Sequence, residues 1–264
     1  MKTSTAYARD LAYVHHVGFG DFARNSAPGL LRLLHAARRD NGQVIDLGCG
    51  SGIWAAALLR AGYAVTGLDP SSAMLAIARQ VAPGARFVRA SVYDFDFPAC
   101  DAVTAIGEVL SYLPPGAKTA PSLPRLFRRI AGALRSGGLL VFDLIVTAPG
   151  RPMAYRTWRS GGDWGILADV SEQPACRRLV REITTFRRVG TRYRRARETH
   201  VVRVWSRAEI ERMLRQAGLS VRVLRAYGAA HLAPRRLAFV ARKLGSTWTV
   251  NREARDAKAA RRSD

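Results

Sequence analysis

Cysteine, lysine and long apolar runs are all scarce in this 264-residue chain. Three cysteines occur, Cys49, Cys100 and Cys176. Their odd number and wide spacing argue against a disulfide framework or a zinc site, so no metal is expected and a reducing, cytoplasmic setting fits. No apolar run reaches the roughly eighteen residues a membrane helix needs, so no membrane partner is expected. Residues 1–10 lack the apolar core of an export signal. Acidic residues number 20 against 42 basic ones, a formal net charge of +22. Lysine supplies only four of the basic residues (Lys2, Lys118, Lys243 and Lys258) and arginine the other 38. Such a charge attracts polyanions, nucleic acid included. The arginines are nevertheless scattered rather than gathered in one tail, which reads as a compositional bias toward Arg and Ala and disfavours the nucleic-acid partner.

What is present is a chain that is 48% hydrophobic, enough for one sizeable domain with a full core. Leucines at 30, 31, 33 and 34 after Pro28-Gly29 predict an amphipathic helix over 27–39. Short apolar runs at 43–47, 64–68, 86–90, 101–106 and 139–145 read as strands. Helices are expected at 53–61, from Ser71-Ser72 to about 81, and at 122–134. Strand and helix in alternation over 43–145 make an α/β, doubly wound, mostly parallel sheet, with ligands expected at the carboxyl ends of its strands.

Beyond 145 the pattern changes. Segments 154–158, 165–170, 178–188 and 192–205 look like antiparallel strands, the last two joined by Val189-Gly190-Thr191. Ser206 and Glu209 form a capping box for a helix ending near Gly218. Segments 219–227 and 235–243 close the sheet. Residues 252–264, charged and Ala-rich, read as a frayed helix or tail.

Chemistry concentrates between Val44 and Pro70. The first strand delivers Asp46, then Gly48-Cys49-Gly50-Ser51-Gly52 allows a tight turn and close backbone approach. The second strand ends at Asp69, placed to accept both hydroxyls of a ribose. Ile53 follows Gly52, departing from a dinucleotide fingerprint, and Asp46 would repel a pyrophosphate but suit a cationic ligand. This segment, with Arg89–Asp94, Ala105–Leu113 and Leu134–Val141, resembles the motif set of class I S-adenosylmethionine-dependent methyltransferases of the small-molecule type. The resemblance is strong over about 40–145.

The resemblance implies a seven-stranded Rossmann-like sheet with an antiparallel insertion after the fifth strand. It implies S-adenosyl-L-methionine as cofactor and S-adenosyl-L-homocysteine as product. Cofactor contacts then fall to Asp46, Gly48, Cys49, Gly50 and Gly52, to Asp69 and Pro70, to Ser91, Val92 and Tyr93, and to Ile106 and Gly107. Ser91 departs from the acid the family often carries there. Residues 13–22 resemble the lid helix of such enzymes, bringing in Tyr13.

On the substrate side the candidates are Tyr13, His15, His16, Glu108, Tyr112, His200 and His231, with Glu108 and His16 as the catalytic expectation. His200 reads as a sheet-surface residue, and Trp158, Trp164 and Trp205 as sheet core. The organisation expected is a helical lid over 1–40, a cofactor core over 41–150, an insertion covering the site over 151–205, closing elements over 206–244 and a basic tail over 245–264. A small-molecule acceptor, methylated on nitrogen or oxygen by in-line transfer, is favoured. A nucleic-acid methyltransferase and a non-catalytic cofactor-binding protein are the alternatives. The loop Leu113-Pro-Pro-Gly116 lacks the Asn or Asp before Pro-Pro, and the aromatic after it, that amino-directed base methyltransferases show. Monomer and homodimer both remain open. Asp69→Ala should weaken S-adenosylmethionine binding by about 2 kcal/mol or more, because a charge-assisted pair of hydrogen bonds is lost; calorimetry checks it, and an unchanged affinity would remove the ribose assignment.

Overall fold

The computed structural model describes residues 6–37, 41–113 and 122–244. The expected tail at 245–264 and the Pro114–Gly116 part of the fourth-strand loop lie outside the described residues. Two helices, α1 (Arg9–Phe19) and α2 (Asp21–Ala36), precede the sheet. The core then runs β1 (Gln43–Leu47), α3 (Ile53–Arg60), β2 (Ala64–Leu68), α4 (Ser72–Val81), β3 (Arg86–Val88), β4 (Cys100–Ala105), α5 (Leu123–Ala133) and β5 (Leu134–Ile145). Four strands follow, β6 (Ala154–Ser160), β7 (Trp164–Gln173), β8 (Arg178–Val189) and β9 (Arg192–Arg203). The chain closes with α6 (Arg207–Gln216), β10 (Leu219–Leu224), a small hairpin β11 (Ala226–Tyr227) and β12 (Ala230–His231), and β13 (Arg236–Lys243).

Seven strands form one sheet in the order β10-β13-β5-β4-β1-β2-β3. β1 pairs in parallel with β2 and β4, and only β13, antiparallel to both its neighbours β5 and β10, runs against the rest. Order reverses between β1 and β4, so a crevice opens at their carboxyl ends. The central strands are buried on both faces and read as nearly continuous apolar runs. α5 shows why helices cover them: Leu123, Leu126, Phe127, Ile130 and Ala131 fall on one buried stripe and Arg125 and Arg128 on the other side. Among the described residues no helix is long and apolar enough to cross a membrane.

The four inserted strands form a separate antiparallel sheet, β6-β7-β8-β9, joined to the core through an isolated bridge between Tyr112 and Val202. α1 lies against its inner face. Asp10, 5% exposed, accepts from Arg194 Nε at 2.6 Å, and Tyr13 donates to Asp163 at 2.7 Å with the Arg187 guanidinium over its ring. Those arginines hold the Asp10 carboxyl below its ordinary range, the Arg194 hydrogen bond first among the causes.

Several expectations need correction. The second helix begins at Asp21, not at 27, and carries Pro28 in its interior. An interior proline costs roughly 3 kcal/mol, and burial of Ala27, Leu30 and Leu34 on that face offsets it. Gly29 is there for contact, not for a helix start: a Cβ would lie 2.3 Å from the Tyr227 carbonyl oxygen. The fifth strand starts at Leu134, and its register against β4 shifts between Cys100 and Ala102, where Gly137 turns with φ 73°. Hairpin β11–β12 replaces the end of one expected strand. Trp158 is 72% exposed on edge strand β6, whereas Trp164 and Trp205 are buried. His200, read as a surface residue, is 3% exposed, because β9 turns its even-numbered side chains inward at that point.

Gly29→Ala should lower stability by about 2–3 kcal/mol, since the obstacle is backbone that cannot give. Gly132→Ala on α5, where a Cβ meets nothing within 4 Å, should raise it by about 0.5 kcal/mol. Denaturant midpoints of the two variants check both signs.

Candidate active site

The crevice between β1 and β4 holds a cavity of about 730 Å³, within the roughly 300–1,000 Å³ of small-ligand sites. One half is built from the loops after β1 and β2. Asp46, 2% exposed, accepts a hydrogen bond from Thr104 Oγ1 at 2.7 Å. Burial lifts its pKa to about 7 and the neighbouring Asp69 adds to the rise, against the Thr104 bond. Asp69 accepts from the Gly50 N–H at 3.0 Å and the Ser71 N–H at 2.8 Å. Burial lifts it to about 6 in spite of both. Among the described residues neither carboxylate has an ion-pair partner. Two buried acids without countercharge suit a ligand that brings positive charge.

Gly50 completes this half. Its φ is 54°, and a Cβ there would meet nothing within 4 Å although the residue lines the cavity. Backbone is thus bared toward open space, the cradle a closely bound ligand requires. Gly48 differs, because a Cβ would strike the Val109 side chain at 2.6 Å. Cys49 lines the wall as well, and burial pushes its thiol well above the ordinary range. Pro70, Ser91, Val92 and Tyr93 form the next stretch of wall, and Ile106 and Gly107 the stretch after β4.

The other half is set by Asp143, wholly buried at the end of β5. Its oxygens accept from the N–H groups of Gly107 (3.0 Å) and Glu108 (2.9 Å), from Tyr227 Oη (3.1 Å) and from Arg236 Nε (2.6 Å). That grip holds Glu108 in the left-handed region at φ 64°, unfavourable for a residue with a Cβ. Glu108 then meets Arg181 Nη2 of β8 at 2.6 Å and Arg236 Nη1 at 3.6 Å. Tyr7, His15, Tyr112, Phe19 and Phe22 complete the lining. His15 has its pKa pushed down to about 4, by burial first and then by His200 and His16, so it stays neutral at ordinary pH.

Four expected site residues lie elsewhere. Tyr13 faces the insertion and is spent on Asp163. His16 is not among the residues lining the cavity, its Nδ1 lying 2.9 Å from Ser51 Oγ, and His15 one residue earlier takes the lining position. Gly52 is a packing residue, since a Cβ would crowd Ala78 of α4 at 3.0 Å. His231 is exposed on β12, away from the cavity. Glu108 lines the cavity, but with its carboxylate tied to two arginines. Sequence reasoning missed Asp143, Arg236, Arg181 and Tyr7. An acid inside the apolar run Leu139–Val146 is a signal for the first; nothing local marks the others. Among the described residues no group of three or more His, Cys, Asp or Glu could hold a metal.

Comparison with known proteins gives the family and the fold. A family model described as a methyltransferase domain matches residues 19–224. YqeM of Bacillus subtilis is 26% identical over 202 residues, 71% of this chain and 77% of that protein. A ubiquinone biosynthesis O-methyltransferase of Alkalilimnicola ehrlichii is 32% identical over 114 residues, 40% of this chain and 43% of that one. Among solved structures, a S-adenosylmethionine-dependent methyltransferase from Clostridium acetobutylicum superposes with a TM-score of 0.73 at 16% identity, covering 88% of this chain and 99% of that one. CalS10, a S-adenosylmethionine-bound amino pentose methyltransferase from Micromonospora echinaspora, superposes with a TM-score of 0.69 at 21% identity, covering 91% and 99%. The chain belongs to the methyltransferase domain family and is an S-adenosylmethionine-dependent methyltransferase.

Proposed function

We propose that the protein methylates a nitrogen or oxygen of a small, polar acceptor enclosed between the β4 loop, α1 and the insertion. The observation that carries this reading is the roof: Tyr7 ahead of α1 and Arg181 of β8 both line the cavity and converge on Tyr112. A compact molecule fits under such a roof, and a base in a duplex does not. The likeness to CalS10 supports the reading, since that protein is an amino pentose methyltransferase. A cytoplasmic setting accords with free Cys49, Cys100 and Cys176.

S-adenosylmethionine supplies an electrophilic methyl on a sulfonium. Asp46 and Asp69 provide negative charge for the cofactor's cationic portion and its ribose hydroxyls, Gly48 and Gly50 the backbone approach, and Ser91 to Tyr93 the wall beside adenine. The chain's remaining work is alignment, exclusion of water and receipt of one proton. Tyr7, Tyr112 and neutral His15 are the polar groups facing the acceptor end. His15 takes the part expected of His16, as the hydrogen-bond acceptor that orients the nucleophile. Glu108, its charge already met by Arg181 and Arg236, shapes the pocket.

A panel of amino sugars, small amines and phenols, assayed by S-adenosylhomocysteine release, tests the acceptor class. Turnover of at least one compact member is expected; turnover of oligonucleotides alone would overturn the reading. On the best acceptor, His15→Phe should cut kcat by about tenfold, the worth of one orienting hydrogen bond, and His16→Ala should leave it within about twofold.

Cofactor binding should also depend on pH. Both acids have folded pKa values raised above the ordinary 3.8. The cofactor-free protein is therefore favoured below pH 4 by these groups, and loses that contribution as pH rises toward 7. A cation beside them demands the ionised forms, so affinity should climb between pH 5 and 7.5, by up to about tenfold per pH unit for each proton released. Calorimetry in buffers of different ionisation enthalpy reads the proton count, and Asp46→Asn should flatten the profile.

A further inference from the structure

The segment ahead of α1 is tied down by a carboxylate from the far end of the chain. Glu198 lies on the inner face of β9 and is 8% exposed. Its Oε2 accepts from the Tyr7 N–H at 2.7 Å and its Oε1 from the Ala8 N–H at 3.0 Å. These amides open α1, so the carboxylate also meets the positive end of the helix. Behind it, His200 Nε2 stands 3.0 Å from Oε2. The insertion's own core on that side, Val170, Leu179 and Val202, is apolar and makes no demand for an acid. Burying a carboxylate is costly unless it is hydrogen-bonded, and two of the three partners of Glu198 belong to the N-terminal strap.

What this grip achieves is visible at Tyr7. The residue has φ 61°, a conformation that a tyrosine keeps only when its surroundings impose it. Held so, its carbonyl accepts from Ser71 Oγ at 2.6 Å and its hydroxyl lies 2.9 Å from Tyr112 Oη. Its ring stands edge-on to His15 with centroids 5.0 Å apart. Ser71 in turn gives its N–H to Asp69. One strained residue therefore touches the cofactor loop, the acceptor wall and the insertion.

We propose that Glu198 is a positioning residue: by gripping the Tyr7 and Ala8 amides it latches the strap across the cavity, so that cofactor and acceptor are enclosed by the same contact. This rests on the assignment of Asp69 and its loop to the cofactor. Bound S-adenosylhomocysteine should then leave slowly while the latch holds and faster once it is broken.

The test uses the full chain and S-adenosylhomocysteine as probe. Glu198→Gln keeps the shape but sets an amide group against one of the two N–H donors, and Glu198→Asp keeps the charge on a shorter arm. S-adenosylhomocysteine should dissociate about tenfold faster from Glu198→Gln, with Glu198→Asp in between. Hydrogen exchange in a peptic fragment ending at Leu11 should slow when S-adenosylhomocysteine binds the natural chain, and this slowing should vanish in Glu198→Gln. Dissociation within twofold of the natural chain in Glu198→Gln would refute the latch. So would exchange that quickens as much throughout the sheets as in the strap, because the residue would then serve only the fold. Asp69→Ala, run in parallel, separates the two readings: if it binds S-adenosylhomocysteine normally the cofactor assignment fails, whereas lost binding there with an indifferent Glu198 leaves the assignment standing and sinks the latch.

Discussion

The Asp143 carboxylate has no exposed surface and accepts hydrogen bonds from two loop amides, a tyrosine hydroxyl and a guanidinium. Through the amides it fixes the turn after β4 and forces Glu108 into the left-handed region. Through Glu108 it reaches Arg181 and hence the insertion. Through Tyr227 it anchors the turn on which Gly29 and α2 rest. A buried charge is tolerable only when every lone pair has a partner, so these four elements are held to one geometry.

Charge is handled in opposite ways at the two ends of the cavity. At the acceptor end each acid has its guanidinium: Glu108 with Arg181 and Arg236, Asp143 with Arg236. At the other end Asp46 and Asp69 have only hydroxyl and amide donors, and burial lifts both pKa values. The first arrangement is complete within the protein and suits an acceptor chosen by shape and hydrogen bonding. The second is complete only with a cation from outside. The net charge of +22 contributes nothing to this local deficit.

The sheet order and the glycine loop were legible because each is dictated by local chemistry: apolar runs of strand length, glycines where φ is positive, acids at strand ends. The residues that build the acceptor half were not. On β9 the pattern Arg192–Arg203 is polar on both faces, so parity along the strand could not say which side chains turn inward. His200 and Glu198 do turn inward, while Trp158 on the edge strand turns out. The choice between His15 and His16 is one helical step, 100° of rotation, decided by how α1 docks on the insertion. Pro28-Gly29 carried a familiar boundary signal, but the glycine answers to a carbonyl contributed from residue 227, which no local window contains.

The contacts that roof the cavity join residues far apart in sequence: Tyr7 with Glu198, Asp10 with Arg194, Tyr13 with Asp163. On the ribosome, where chains emerge from the N-terminus at roughly 5–20 residues per second, the first helix appears long before the strands that receive it. The sheet through β5 can pair while α1 has α4, but not yet β7 and β8, to dock on. A nascent chain thus makes the strands that flank the β1–β4 crevice well before β8 and β9, which bring Arg181 and Glu198 to its roof.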